Sequence, residues 1–444
     1  MLIRFVVENF TALSTRVELS LRAPAGEDAG MPGRVALPDG TRALGRVLLL
    51  GDNAAGKTAL LKGLGLLRTL VLAGTRPGQP LPLAPCRLLP GEQPTHLELE
   101  VLHDGALWTY SLTASRDLIE AESLRVGSGP AAVVMFSRQR PSPLIPSTTI
   151  KLGEGAAGER ERLQLVAGGT RAEQPFLGEA LRRGSVVLAP LGSWLRERLQ
   201  LVRAEAKIVG LAARCAREPD FARFLGELLA AAGTGISEVA TTHKRVDPDY
   251  FETAEEKQQV VAALTGYADG FVQTDDGEII AERDGRFVDL YQVGLRVLQR
   301  GAAGAPVELP LAELSDGVLR LLHLAPVLYR GAVAAPPPVF FVDELDRSLH
   351  PRVTRQLLAR FAEPAAAAEP GSPQLIATTH DAALLTAVPP AEVRLLTRAP
   401  SGPGPGPGPD SIAPAPVRLG PPPAGLSSEE LLRRFIAGTL TPAD

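Results

Sequence analysis

Apolar and polar residues alternate with a period of two over several short stretches near the start of the chain. That period belongs to strands with one buried face. It predicts strands over residues 3–7 and 17–21, and a continuous apolar run over 47–50 leads into a glycine-rich loop. Beyond the loop the period changes to three and four, which predicts a helix over 58–72 that stops at Gly74. Strand spacing returns over 96–102, 107–113, 118–126 and 133–136. The first two of these flank His103-Asp104-Gly105-Ala106, a hairpin turn signal, so the four read as an antiparallel meander.

Residues 137–184 are polar and weakly patterned. From Trp194 to about Ala232 the spacing is helical, carried by Leu195, Leu199, Val202, Ile208 and Leu211 and then by Phe221, Leu225 and Leu228. A strand-rich piece follows over 271–297, with Asp275-Asp276-Gly277 as its turn. Pro336-Pro337-Pro338 is a rigid entry to a buried strand over 339–342. The Gly-Pro repeat inside 399–425 cannot build a core and reads as a linker. After it, Ser427 and Glu430 form a capping box, with Leu426 as the staple, for a helix from 428 to 437 that stops at Gly438. The expected layout is therefore 1–136, a first lobe; 137–310, an inserted and mostly helical lobe; 311–398, a second lobe; 399–425, a linker; and 426–444, a terminal helix.

Composition narrows the class only a little. The chain has 444 residues, 45% of them hydrophobic and 22% charged, with a net charge of −4. These are the proportions of a globular protein, and no overall basic character marks it for nucleic acid. Cys86 and Cys215 lack metal-ligand spacing and read as free thiols. Arg4 and Glu8 interrupt any signal-peptide core, and no apolar stretch is long enough to span a bilayer. The expectation is a cytoplasmic protein with no membrane role of its own.

Chemistry enters with Gly51-Asp52-Asn53-Ala54-Ala55-Gly56-Lys57-Thr58. This is the phosphate-binding pattern G-x-x-x-x-G-K-[ST], and it lies between a predicted strand and a predicted helix, as the pattern requires. Backbone N–H groups of Gly51, Asn53, Ala54, Ala55 and Gly56 would curl around phosphates. Lys57 would neutralise their charge, and Thr58 would offer its hydroxyl to Mg²⁺. The strand over 339–342 ends in Asp343 and Glu344. In phosphate-loop ATPases such a strand lies beside the loop, with the first acid serving Mg²⁺ and the second a water. Two ordinary solvated acids at a strand end are the plainer explanation, and the loop argues against it.

Leu314-Ser315-Asp316-Gly317 resembles the signature of ATP-binding-cassette ATPases, although Ser-Asp-Gly alone is a common turn. Asp346 falls at the D-loop position of that class. Pro351 suits the first turn of a helix that His350 could cap. Leu375-Ile376-Ala377-Thr378-Thr379-His380-Asp381 is a second apolar strand with a polar end, and His380 falls where those ATPases carry a switch histidine. His96, His103, His243 and His323 read as structural or surface residues. The Q-loop glutamine stays open between Gln79 and Gln93, and Arg87 reads as solvated.

Taken in order, LIRFVVENF, the loop, LSDG, FVDELDRSLHP and LIATTHD resemble a prokaryotic AAA/ABC-type ATPase family. That family includes RloA-like proteins and relatives of the OLD and RecF ATPases, many of them in anti-phage defence operons. The likeness runs from residue 1 to about 398 and is weakest over 137–310. One departure is Val318, where relatives carry threonine.

The resemblance implies an α/β fold with an ABC-type phosphate-loop ATPase core, an antiparallel β-subdomain and an inserted helical lobe. It implies ATP and Mg²⁺ as ligands and a head-to-tail homodimer, or a higher even-numbered oligomer. Each site would combine Lys57, Thr58, Asp343, Glu344 and His380 of one chain with Ser315 and Gly317 of another. Lys57, Glu344 and His380 would be catalytic, and Thr58 and Asp343 would hold Mg²⁺. The chain carries no recognisable nuclease motif, so the implied partner is an operon-encoded effector, with a nuclease expected. The alternative is a RecF-like repair ATPase that binds DNA directly. The interval 59–313 has no sustained heptads, which excludes a long coiled-coil arm. That interval is also too long and strand-rich for the ATPase subunit of a membrane transporter.

Overall fold

The computed structural model describes residues 1–24, 33–52, 55–89, 91–141, 148–205, 209–265, 270–274, 277–284, 287–301, 304–329, 337–361, 373–398 and 416–443. They fall into two compact units. The first comprises Met1–Ala204, Ala335–Asp346 and Arg355–Asp444, and the second Glu205–Ala334 and Arg347–Thr354.

The first unit contains the expected meander, enlarged to seven antiparallel strands. Their order is Thr149–Leu152, Val133–Gln139, Ile119–Val126, Ala106–Ala114, Thr95–His103, Leu2–Glu8 and Val17–Ser20. The predicted hairpin forms at Asp104 and Gly105, whose φ values of 48° and 75° are those of a tight two-residue turn. A second sheet runs Leu199–Val202, Val339–Val342, Gln374–Thr378, Arg46–Gly51, Val393–Arg398 and Val417–Gly420. Its first five strands are parallel and the last is antiparallel.

We call Arg46–Gly51 the loop strand, Val339–Val342 the acid strand and Gln374–Thr378 the switch strand. In strand order the switch strand lies between the loop strand and the acid strand. Parallel neighbours need a crossover, and the helix Pro351–Arg360 lies in the connection between the acid and switch strands. Gln374 then fixes the switch strand at its entry. Its buried amide donates to the carbonyls of Leu2 (2.9 Å) and Leu44 (2.8 Å) and accepts from the Leu2 N–H (2.7 Å). One side chain thus ties the first strand of the antiparallel sheet to the parallel sheet.

The loop helix, Lys57–Leu72, buries Leu60, Leu61, Leu64, Leu67, Leu70 and Val71 along one side. Gly63 faces the antiparallel sheet, where a Cβ would be in van der Waals contact with the Phe5 ring at 3.4 Å. The helix ends where Gly74 turns left-handed at φ 78°. At the other end of the chain, Ser427 caps the helix Ser428–Ile436 by accepting the Glu430 N–H at 3.2 Å, as the capping box predicts.

Three sequence expectations change. Leu199 and Val202, spaced as if helical, belong to the edge strand Leu199–Val202, because ladder bonds to the acid strand outweigh the local spacing. The 136/137 boundary cuts through the strand Val133–Gln139. Residues 417–420, expected in the linker, pair with Val393–Arg398. The polar look of 137–184 also has a cause, for the helices Arg160–Gly169 and Phe176–Arg182 lie there, held in part by buried charge. Glu122 accepts the Tyr110 hydroxyl (2.9 Å) and the N–H groups of Phe176 (2.8 Å) and Leu177 (3.0 Å). Arg138, 3.7 Å from Glu122, donates to the carbonyls of Gln174, Arg171 and Ala172.

The second unit sets four helices, Leu211–Arg217, Pro219–Ala231, Ala254–Thr265 and Asp316–Leu328, with a five-stranded antiparallel sheet. Its path is Ile236–Arg245, Phe287–Arg300, Gly277–Asp284 and Phe271–Thr274, with Pro306–Leu309 also on Phe287–Arg300. Phe221, Leu225, Leu229, Leu321 and Leu322 pack with Val239 and Val297 in its core. Glu278 is buried and accepts the N–H groups of Gly210 (2.6 Å) and Ala213 (2.7 Å), which satisfies the start of a helix from a strand of the sheet. Among the described residues, no helix is long and apolar enough to cross a membrane.

Removing Glu122 strands a buried arginine and three donors, so Glu122→Ala should cost about 3 kcal/mol, measured as a shift of the urea midpoint. His323 gives a pH dependence. Burial, reinforced by Arg320, pushes its imidazole down to about 4. Its stabilising contribution is full above pH 6.5 and is lost as pH falls toward 4, because only the unfolded chain takes up the proton in that window. Between pH 7 and 4.5 the wild type should lose about 1–2 kcal/mol more than His323→Gln, by urea titration at each pH.

Candidate functional site

The site is built on the carboxyl ends of three neighbouring parallel strands. The loop strand is buried at every position and ends at Gly51. A Cβ on Gly51 would meet the Leu396 carbonyl oxygen at 2.1 Å, and one on Gly56 would meet the Leu13 side chain at 2.4 Å. Gly56 also has φ 114°, a backbone state that side chains disfavour. Both glycines are therefore demanded by space, and the backbone is left bare where phosphate would approach. Asn53 and Ala54 lie outside the described residues. Ala55 is buried, and its N–H donates to the Asp52 carbonyl at 3.1 Å.

Lys57 opens the loop helix and is buried. Its Nζ donates to the carbonyls of Gly51 (2.6 Å) and Asp52 (3.1 Å). Burial lowers the ammonium below the ordinary lysine value, and the carboxylates of Asp343, Asp52, Asp346 and Glu344 oppose that shift. Thr58, one residue on, is half-buried.

Asp343 follows the acid strand and is buried, and its N–H donates to the Val202 carbonyl at 2.8 Å. Glu344 leaves the strand with φ 48°. Its side chain is 31% exposed and lies 3.5 Å from His380 Nε2, whose side chain is 41% exposed. The His380 N–H faces both carboxylate oxygens of Asp346 at 3.4 Å. Thr378, the last residue of the switch strand, donates its hydroxyl to Asp343 Oδ1 at 2.7 Å and accepts the Glu344 N–H at 2.7 Å. The sequence reading passed over Thr378, although a polar residue closing an apolar buried strand was its available signal.

Lys57, Asp343, Glu344, Asp346 and His380 thus lie together in the first unit. Ser315 and Gly317 lie in the second. Ser315 caps the helix Asp316–Leu328 by accepting the Val318 N–H at 3.5 Å. Gly317 passes close to the chain just after Asp346, since a Cβ there would meet the Ser348 carbonyl oxygen at 2.8 Å. Val318 packs into that unit's core. His350 Nδ1 accepts the Arg352 N–H at 3.2 Å, so the histidine does cap its helix. Gln79, Gln93 and Arg87 are exposed.

Among the described residues, no group of three or more His, Cys, Asp or Glu side chains could hold a metal ion by itself. Mg²⁺ in phosphoryl-transfer sites takes one or two protein oxygens and completes its shell with phosphate and water. A glycine cradle, a buried lysine, a hydroxyl and a buried acid fit that demand.

A glycine-rich phosphate loop on a parallel strand, with paired acids and a histidine at the neighbouring strand ends, is the arrangement of a phosphate-loop AAA domain. Residues 47–386 match the family model described as "AAA domain, putative AbiEii toxin, Type IV TA system", and the chain belongs to that family. Among solved structures, the SMC head domain from Thermotoga maritima is similar at 12% identity, with 95% of this chain and 98% of that chain covered and a TM-score of 0.36. No curated protein matches the sequence.

Gly56→Ala should lower the melting temperature by several degrees and weaken nucleotide binding at least tenfold, measured with a fluorescent nucleotide, because the new Cβ meets Leu13 at a positive φ.

Proposed function

We propose that the chain binds and hydrolyses ATP with Mg²⁺, closes as a homodimer around two ATP molecules, and so controls a partner effector in anti-phage defence. The observation that carries this reading is the gathering of buried Lys57, the Asp343–Glu344 pair and His380 at adjacent strand ends. Lys57 would bind the β- and γ-phosphates once drawn off the Gly51 and Asp52 carbonyls. Thr58 and Asp343 would hold Mg²⁺, which when bound neutralises charge on the transferring phosphoryl group. Glu344 would orient and deprotonate the attacking water, and His380, 3.5 Å away, would steady that carboxylate and the γ-phosphate. Ser315 and Gly317, at a helix start, are suited to meet the γ-phosphate of ATP held by a second copy.

Binding that favours only the closed dimer gives a switch its energy. The likeness to RloA-like, OLD and RecF ATPases supports a cytoplasmic defence role, and the toxin–antitoxin wording of the family description points to a cognate protein partner. In the Glu344→Gln variant, ATP affinity should stay within about threefold of wild type while phosphate release falls at least about a hundredfold. An ATP-dependent dimer should then accumulate in light scattering. Phosphate release at the wild-type rate would sink the mechanism, and a monomer with ATP bound would sink the dimer.

A further inference from the structure

We infer that Thr378 is a positioning residue for ATP hydrolysis, and that its one hydroxyl sets both acids of the site at once. The inference rests on the ATPase reading above and adds a residue to it. The direction of each bond follows from the chemistry. A backbone N–H can only donate, so the Thr378 oxygen must accept from Glu344, and its single hydrogen is left for Asp343, which as a carboxylate can only accept. Both bonds are 2.7 Å, and Thr378 and Asp343 are both buried. Water therefore cannot readily replace either bond.

The main chain of the same residue reinforces this arrangement. The Leu345 N–H donates to the Thr378 carbonyl at 2.9 Å. Two successive amides after the acid strand are thus taken up by one residue, the first by its side chain and the second by its backbone. The regular pairing of the two strands ends at Val342 and Ala377. Beyond it, Glu344 turns left-handed at φ 48°, a conformation that costs a glutamate energy unless its surroundings hold it there. The hydroxyl bond to its N–H is one of the contacts that hold it. The result is a carboxylate 3.5 Å from His380, two residues after Thr378 on the same strand end.

Threonine suits the task better than serine. Its branched Cβ restricts χ1 on a strand, which aims the hydroxyl before any partner arrives. Valine has the same shape and neither bond. Among the described residues, the hydroxyl's two bonds both go to the acids and neither to the phosphate loop, so its loss should spare the lysine's hold on phosphate and impair the metal and water steps.

The experiment compares wild type, Thr378→Val, Thr378→Ser and Lys57→Ala in the full chain. Binding of a fluorescent ATP analogue is titrated with and without Mg²⁺, and steady-state phosphate release is followed over a range of Mg²⁺ concentrations. Thr378→Val should keep metal-free binding within about twofold, lower kcat at least about tenfold, and raise the Mg²⁺ concentration for half-maximal binding. Thr378→Ser should restore kcat to within about threefold of wild type. Lys57→Ala should instead lose binding with and without metal.

Thr378→Val with wild-type kcat and wild-type Mg²⁺ dependence would overturn the inference and leave the ATPase reading intact. So would a serine variant as impaired as valine. A wild type that binds no nucleotide would overturn both. Should the valine variant melt far below wild type, Thr378→Ala, which adds no bulk, is carried through the same titrations and judged by the same outcomes.

Discussion

A strand of five residues, polar only at its two ends and buried throughout, is the constraint on which the first unit depends. A buried amide or hydroxyl left without a partner costs about 1–3 kcal/mol, so each end of Gln374–Thr378 must find its bonds. Gln374 finds them on Leu2 and Leu44, which joins the two sheets. Thr378 finds them on Asp343 and Glu344, which shapes the site. A slip of one residue along either neighbour would break both sets of bonds and turn every apolar side chain to the wrong face. The register that builds the fold is therefore the register that builds the site.

Buried charge does the complementary task. Arg46 opens the loop strand and is paired with Glu392 at 2.7 Å while also donating to the Leu358 carbonyl. Arg394 reaches across to the carbonyls of Ser20 and Arg22, a second tie between the sheets. At the other end of the loop strand, Lys57 is kept on its own loop's carbonyls, with four carboxylates near enough to oppose the loss of its proton. A cation held this way is desolvated before phosphate arrives, and phosphate binding would exchange carbonyl partners for stronger charged ones.

In the second unit, Ser315, Gly317 and Val318 already have structural partners. Ser315 caps a helix, Gly317 gives room to the Ser348 carbonyl, and Val318 fills the core. The serine and glycine are thereby set at a helix start with their geometry fixed by local contacts. Val318 spends its side chain on packing, which accounts in physical terms for an apolar residue at that position.

Sequence alone determined whatever depends on short-range pattern. The period-two runs that became Leu2–Glu8 and Thr95–His103, the Asp104–Gly105 turn, the loop helix and its stop at Gly74, and the cap at Ser427 all follow from neighbours a few residues apart. Lys57, Asp343, Glu344 and His380, which the structure gathers at adjacent strand ends, were singled out for the same reason, since each sits in a short local motif at the end of a predicted strand. Tertiary structure decided what depends on distant partners. Leu199–Val202 is a strand because the acid strand offers it a ladder, and the helix Phe176–Arg182 starts where Glu122, on a distant strand, accepts the N–H groups of Phe176 and Leu177. The place of the switch strand between loop and acids, and with it the double bond made by Thr378, rests on contacts between segments far apart in the chain. Local spacing carries no information about such partners, because their energies arise only once the sheet has brought them together.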